Sequence, residues 1–171
     1  MKVEHSIIRF TILLFSISVL SCKDTKKEGE NASEDSMETI VFSKALIDET
    51  NPAVWIYDYD KDIPLKNWEI MGLNNSPQEW IDFLNSQNRG VYLEFSKHSG
   101  DTLYVKIQES NYLTQNMGSA GADAYMSVAT FTLTETKNVN YVNFDFVEGD
   151  HATPGTYSRQ YYVERNKTRF H

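Results

Sequence analysis

The chain has 171 residues, with 16 basic and 24 acidic side chains, a net charge of −8 and a single cysteine. That acidic balance works against nucleic acid, whose phosphates it repels, and against adhesion to anionic lipid head groups; solubility accounts for it. A lone cysteine cannot close an internal disulfide, so the fold has to rest on its core.

The N-terminus carries Lys2 and Arg9, an apolar run from Phe10 to Leu20, and then Ser21-Cys22. The run is well short of the roughly 20 apolar residues that a membrane-crossing helix needs. A basic start, a short apolar stretch and a small residue at the end have the layout of a secretory signal. The small residue directly before a cysteine resembles the lipobox of bacterial lipoproteins. This resemblance implies that residues 1–21 are a signal peptide, cleaved before Cys22, and that the Cys22 thiol is acylated, with palmitate among the chains. Stable anchoring takes more than one chain, because each buried methylene contributes only about 0.8 kcal/mol. Removing Lys2, Arg9 and Glu4 with the signal leaves 14 basic against 23 acidic residues.

Residues 22–38 read as a flexible, charged tether. Lys23 to Glu38 contain no aromatic residue and one large apolar residue, Met37, too little to offset the entropy of ordering. Lys23-Asp24 resembles part of the export signal of Bacteroidota surface lipoproteins, with Thr25 where a second acid is usual. Asp35-Ser36-Met37 resembles the O-glycosylation triplet of the same group. These resemblances imply a lipid-anchored protein of the bacterial cell envelope, on the outer membrane, facing the periplasm or the surface.

Residues 39–171 have the composition of one compact domain, without internal repeats. Val54 to Tyr57 read as a strand, bounded by Pro52 and the acidic run Asp58 to Asp62. Ser76-Pro77-Gln78-Glu79 combines a cap, a first-turn proline and a capping-box glutamate, so a helix is expected to start there and to end at Asn88-Arg89-Gly90. Val91 to Phe95 and Leu103 to Ile107 have period two and are expected to form a hairpin around a turn from Ser96 to Asp101. The run 119–136 fits helical spacing at Ala122, Tyr125, Met126, Ala129 and Leu133, with a frayed threonine-rich end. Asn138 breaks it, and Tyr141 to Val147 form a further strand. Glu148-Gly149-Asp150 and Pro154-Gly155 are turn signals, with Gly149 and Gly155 expected at positive φ. The fold class is α+β: a mixed β-sheet with two main helices.

The order of Gly-Asp-Thr-Leu-Tyr-Val-Lys-Ile at 100–107, Tyr-Leu-Thr-Gln at 112–115, Met117-Gly118-Ser119-Ala120-Gly121-Ala122, Thr-Leu-Thr-Glu at 132–135 and the strand before Glu148-Gly149 resembles the GerMN domain. That small module occurs in spore-germination proteins and envelope lipoproteins. The resemblance covers about residues 101–150 and implies a non-catalytic binding or assembly role, with an envelope protein or a small ligand as partner.

The best candidates for a polar site are Glu148, Asp150 and His151, with Tyr157 and Arg159 close in sequence. Carboxylates beside an imidazole can bind a divalent ion or transfer protons, which opens an alternative reading as a metal-dependent or acid/base hydrolase. The plainer reading is a structural turn in which Asp150 caps backbone groups and His151 packs on C-terminal aromatics. The remaining histidines give no metal-ligand spacing, so neither a metal nor a cofactor is expected. Asp58 to Asp62 have calcium-loop acids, but Ile63 stands where the EF-hand needs glycine. Met117 to Ala122 could meet an anion at a helix start, yet lack the phosphate-loop lysine; close helix packing is the simpler use of such small residues. The tyrosines and tryptophans could line a carbohydrate or peptide groove, or fill the core. No Gly-x-Ser-x-Gly, His-Glu-x-x-His or Cys–His pair occurs.

Overall fold

The computed structural model describes residues 41–71 and 76–169. The signal-like segment, Cys22 and the tether lie outside the described residues. The rest is α+β, as its sequence pattern implies.

A four-stranded mixed sheet forms the frame, built from β5 (Glu94–Ser99), β6 (Thr102–Lys106), β7 (Tyr141–Asp145) and β8 (Gly155–Ser158) in that order. β5–β6 and β7–β8 are antiparallel, while β6 and β7 are parallel with Leu103 opposite Val142 and Val105 opposite Phe144. Parallel neighbours need a long crossover. Here it is α2 (Gly118–Leu133), preceded by a π-helical turn at Tyr112–Asn116. Leu103, Val105, Val142 and Phe144 are fully buried and face the helical layer, whereas Lys106, Tyr141 and Asp145 point outward. The period-two pattern predicts this split.

α2 is buried almost all round, with Ala122, Tyr125, Met126, Ala129 and Leu133 in the core. It touches α1 (Pro77–Gln87), α3 (Arg159–Arg169), the sheet, and a hairpin of β2 (Trp55–Asp58) and β3 (Ile63–Lys66). Where the helix is enclosed, its hydroxyls cannot reach water. Ser127 donates to the Ala124 carbonyl at 3.0 Å, Thr130 to Met126 at 2.8 Å and Thr134 to Thr130 at 2.8 Å. Back-bonding of this kind makes serine and threonine acceptable inside a helix.

α1 begins as its capping signals predict: Ser76 accepts from the Glu79 N–H at 3.3 Å, the Glu79 carboxylate returns to the Ser76 N–H, and Trp80, Ile81 and Leu84 are buried. The hairpin after it is displaced from expectation. Residues 91–93 are not strand, because the Asn85 side chain takes both backbone groups of Leu93, at 2.8 and 2.9 Å. Leu93 is thereby tied to α1 and withdrawn from the ladder. β5 then runs on to Ser99, and the turn contracts to Gly100-Asp101, with Gly100 at φ 64°. Glycine at the first loop position is one of the favoured solutions for a two-residue hairpin.

The described residues contain three α-helices where two main ones are expected. The unforeseen α3 has one buried side chain, Tyr162, so it carries little apolar periodicity. Also unforeseen are β8, β3, and the pair β1 (Val41–Ala45) with β4 (Trp68–Met71). Asp58 to Asp62 form the β2–β3 turn: the Asp58 carboxylate accepts from the N–H groups of Asp60 at 3.0 Å and Lys61 at 2.9 Å.

Asn67, between β3 and β4, is completely buried. Its amide donates to the carbonyls of Asp48, Asn51 and Ala53 at 2.9–3.1 Å and accepts from the Asp48 N–H at 2.8 Å. One side chain therefore organises the loop from 46 to 53. Asn67→Ala should cost more than about 2 kcal/mol in urea unfolding, because several buried backbone groups lose their partner. Asn143→Ala, which removes one exposed contact to Thr156, should cost under about 1 kcal/mol.

Candidate functional site

The segment between β7 and β8 is shaped by the π-helical turn beneath it. The His151 N–H donates to the Thr114 carbonyl at 3.0 Å, the Ser110 hydroxyl to the Val147 carbonyl at 2.9 Å, and the Gly149 N–H to the Ala152 carbonyl at 3.3 Å. Gly155 has φ 148°, as a turn glycine is expected to. Gly149 is not among the positive-φ residues, which corrects the sequence reading. Its constraint is room: a Cβ there would lie 2.6 Å from the side chains of Thr114 and Gln115. The Gln115 amide, oriented to satisfy both groups, reaches the Asp150 carboxylate at 3.2 Å and the Asp150 N–H at 3.3 Å.

Beside this loop a cleft of about 440 Å³ opens between the N-terminal half of α2 and α3. Asp150, His151 and Tyr157 line it, so three of the five residues singled out in the sequence are brought together. Glu148 is not part of the lining; it accepts from the Thr153 hydroxyl at 3.0 Å. Arg159 is elsewhere. Its guanidinium reaches Glu135 and the Phe131 carbonyl at 2.7 Å each and lies 4.9 Å from the Trp55 ring centroid, fastening the end of α2.

Asp123, Tyr161, Tyr162 and Arg165 complete the cleft and were not legible in the sequence. Three of them depend on α3. The signals available for that helix were Ser158, whose hydroxyl accepts from the Tyr161 N–H at 3.2 Å as a cap, and Lys167 and Arg169 in the last turn. Arg165 pairs with Asp123 through both terminal nitrogens. The Arg165 guanidinium also lies 5.8 and 5.1 Å from the Tyr161 and Tyr162 ring centroids, within cation–π range. Tyr157 and Tyr162 stack at 5.9 Å, and the Tyr157 hydroxyl donates to the Thr153 carbonyl at 2.6 Å.

Burial raises the phenols of Tyr157 and Tyr162 above the ordinary tyrosine value, with nearby tyrosine and carboxylate charges adding to the effect. Burial alone would lower Arg165; the hydrogen bonds and charge of Asp123 outweigh it and raise it. At neutral pH the cleft therefore offers neutral phenols and a compensated ion pair. The Ser119 hydroxyl lies 3.0 Å from Nδ1 of His151. Among the described residues no group of three or more His, Cys, Asp or Glu side chains is placed to hold a metal ion. Comparison with protein-family models, curated proteins and solved structures finds no match to the chain.

A second set of polar contacts ties the cleft to the β2–β3 hairpin. Asp62, at φ 55°, accepts from the Tyr57 hydroxyl at 2.6 Å and pairs with Arg169 of α3. Burial alone would raise its carboxyl; the Tyr57 hydrogen bond and the arginines outweigh that and hold it below the ordinary value. A carboxylate depressed in the folded state contributes stability above its unfolded value, about 3.9, and loses it as pH falls through the folded value. Asp62→Asn keeps a residue that tolerates left-handed backbone and removes the charge. It should lower Tm at pH 7, and the gap to the parent should narrow in melts near pH 3.

Gly149→Ala should destabilise the fold by about 1–3 kcal/mol, since the added methyl overpacks Thr114 and Gln115. His151→Ala should change Tm little, because the loop hydrogen bond at this position comes from the backbone.

Proposed function

We propose that this chain is a lipid-anchored protein of the bacterial cell envelope, held on the outer membrane by acyl chains on Cys22, whose α+β domain is a non-catalytic binding or assembly module. The lipobox-like Ser21-Cys22 after an apolar run supports the anchor. No helix among the described residues is long and apolar enough to cross a membrane, so on this reading attachment comes through Cys22. The β6–α2–β7 unit has the strand–helix–strand order on which the resemblance to GerMN domains rests. The observation that carries the binding half is the cleft, where aromatic walls meet a few convergent polar groups, the usual make-up of a ligand site. The occupant is an envelope protein or a small ligand.

The hydrolase alternative draws on the Ser119–His151 contact, since a hydroxyl beside an imidazole is the start of a nucleophile–base pair. A third group normally orients the base. Here Glu148 engages Thr153 and Asp150 faces Gln115, so the arrangement favours binding over catalysis. Hydrolysis of a chromogenic ester lost in both Ser119→Ala and His151→Ala would reverse that preference.

For the anchor, Cys22→Ala in the full chain should abolish incorporation of labelled palmitate and move the protein out of the membrane fraction. A variant that still acquires label at parental level would show the anchor to be elsewhere.

A further inference from the structure

The charges around the cleft narrow the chemistry of its occupant. Asp123 and Arg165 neutralise each other through a two-point pair, and Asp150 leaves the lining with a surplus of negative charge. An anionic ligand would therefore meet an uncompensated carboxylate and no free guanidinium. A cationic ligand stacked on these tyrosines would sit beside the like charge of the Arg165 guanidinium, 5.8 and 5.1 Å from the Tyr161 and Tyr162 ring centroids. A wholly apolar ligand would strip water from Asp150, His151 and Thr153 without replacing their hydrogen bonds, which carries a cost for each group. A neutral ligand with both apolar faces and many hydroxyls avoids all three penalties, and a sugar ring has that character. Its hydroxyls both donate and accept, matching a carboxylate, an imidazole and a threonine hydroxyl. Its C–H faces suit the negative face of an aromatic ring. Tyr161 lines the cleft and is 45% exposed, so it has ring surface to offer. A volume of about 440 Å³ lies within the range of small-molecule sites.

We propose that this cleft binds a neutral saccharide, one ring stacked on Tyr161 and its hydroxyls shared among Asp150, His151 and Thr153. The assignment rests on the cleft being the binding site proposed above. The test is calorimetry on the full chain in a polyoxyethylene detergent, which avoids sugar head groups. The probes are cellobiose, maltose, mannobiose, lactose, xylobiose and chitobiose, with digalacturonate as an anionic and the glucosamine dimer as a cationic comparison. At least one neutral disaccharide should bind. Tyr161→Ala should weaken it by about tenfold or more, the loss of one good contact, while Tyr161→Trp, which keeps a stacking face, should retain it. Asp150→Asn provides a second variant should Tyr161→Ala melt early, and should weaken the same sugar severalfold. Binding confined to digalacturonate or the glucosamine dimer, and lost in Tyr161→Ala, would overturn the neutral class while leaving the cleft as the binding site. A neutral sugar held equally by the parent, Tyr161→Ala and Asp150→Asn would overturn the assignment and the role of the cleft together. Failure of all six neutral disaccharides to bind would overturn the saccharide assignment alone.

Discussion

The core of the domain is arranged around a helix that is buried almost all round beyond its first turn. α2 lies against the sheet, α1, the β2–β3 hairpin and α3, and its sequence answers the two demands this makes. Small residues such as Ala122 and Ala129 let neighbours approach closely, and the hydroxyls of Ser127 and Thr130 are satisfied by the helix's own carbonyls. Because the helix is the crossover between parallel strands, its burial also holds β6 beside β7. Burying a side chain the size of Leu133 or Met126 contributes about 1.5–3 kcal/mol, so the apolar face of this one element outweighs any single polar contact described here.

Around that centre, polar contacts take over where apolar surface runs out. α3 presents only Tyr162 to the interior, and its position is defined by Arg165 with Asp123, Arg169 with Asp62, and the Asn166 amide with the Lys61 and Asp62 carbonyls. At the other end Glu135 accepts from Arg159 at 2.7 Å and from the Trp55 indole at 3.1 Å. Exposed ion pairs are worth little alone; a network that shares residues with aromatic rings acts through geometry as much as charge. The same Asp123 and Arg165 that dock α3 form one wall of the cleft.

The cleft thus has two walls of different origin. The loop side is held by backbone hydrogen bonds to the π-helical turn and by the tight seat of Gly149 on Thr114 and Gln115. The α3 side is held by side-chain pairs. The second includes Asp62, whose depressed carboxyl gives up its contribution only as pH falls through its folded value.

Local signals in the sequence determined the α+β class, the start of α1 at Ser76, the hairpin, the crossover helix and the strand at 141, because capping residues and apolar periodicity act within a few positions of one another. They also picked out Asp150, His151 and Tyr157, since a run of polar and turn residues after a strand is visible without a fold. What only the tertiary structure decided are the features that depend on distant partners. Asn85 withdraws Leu93 from the hairpin, Asn67 gathers a loop up to 19 residues away, and Arg159 turns away from the loop to Glu135. α3 has too few apolar residues to announce itself, and it joins Arg165 to Asp123, 42 residues apart in sequence. Periodicity reports burial, and a helix held by ion pairs and tyrosine rings buries too little to leave that mark.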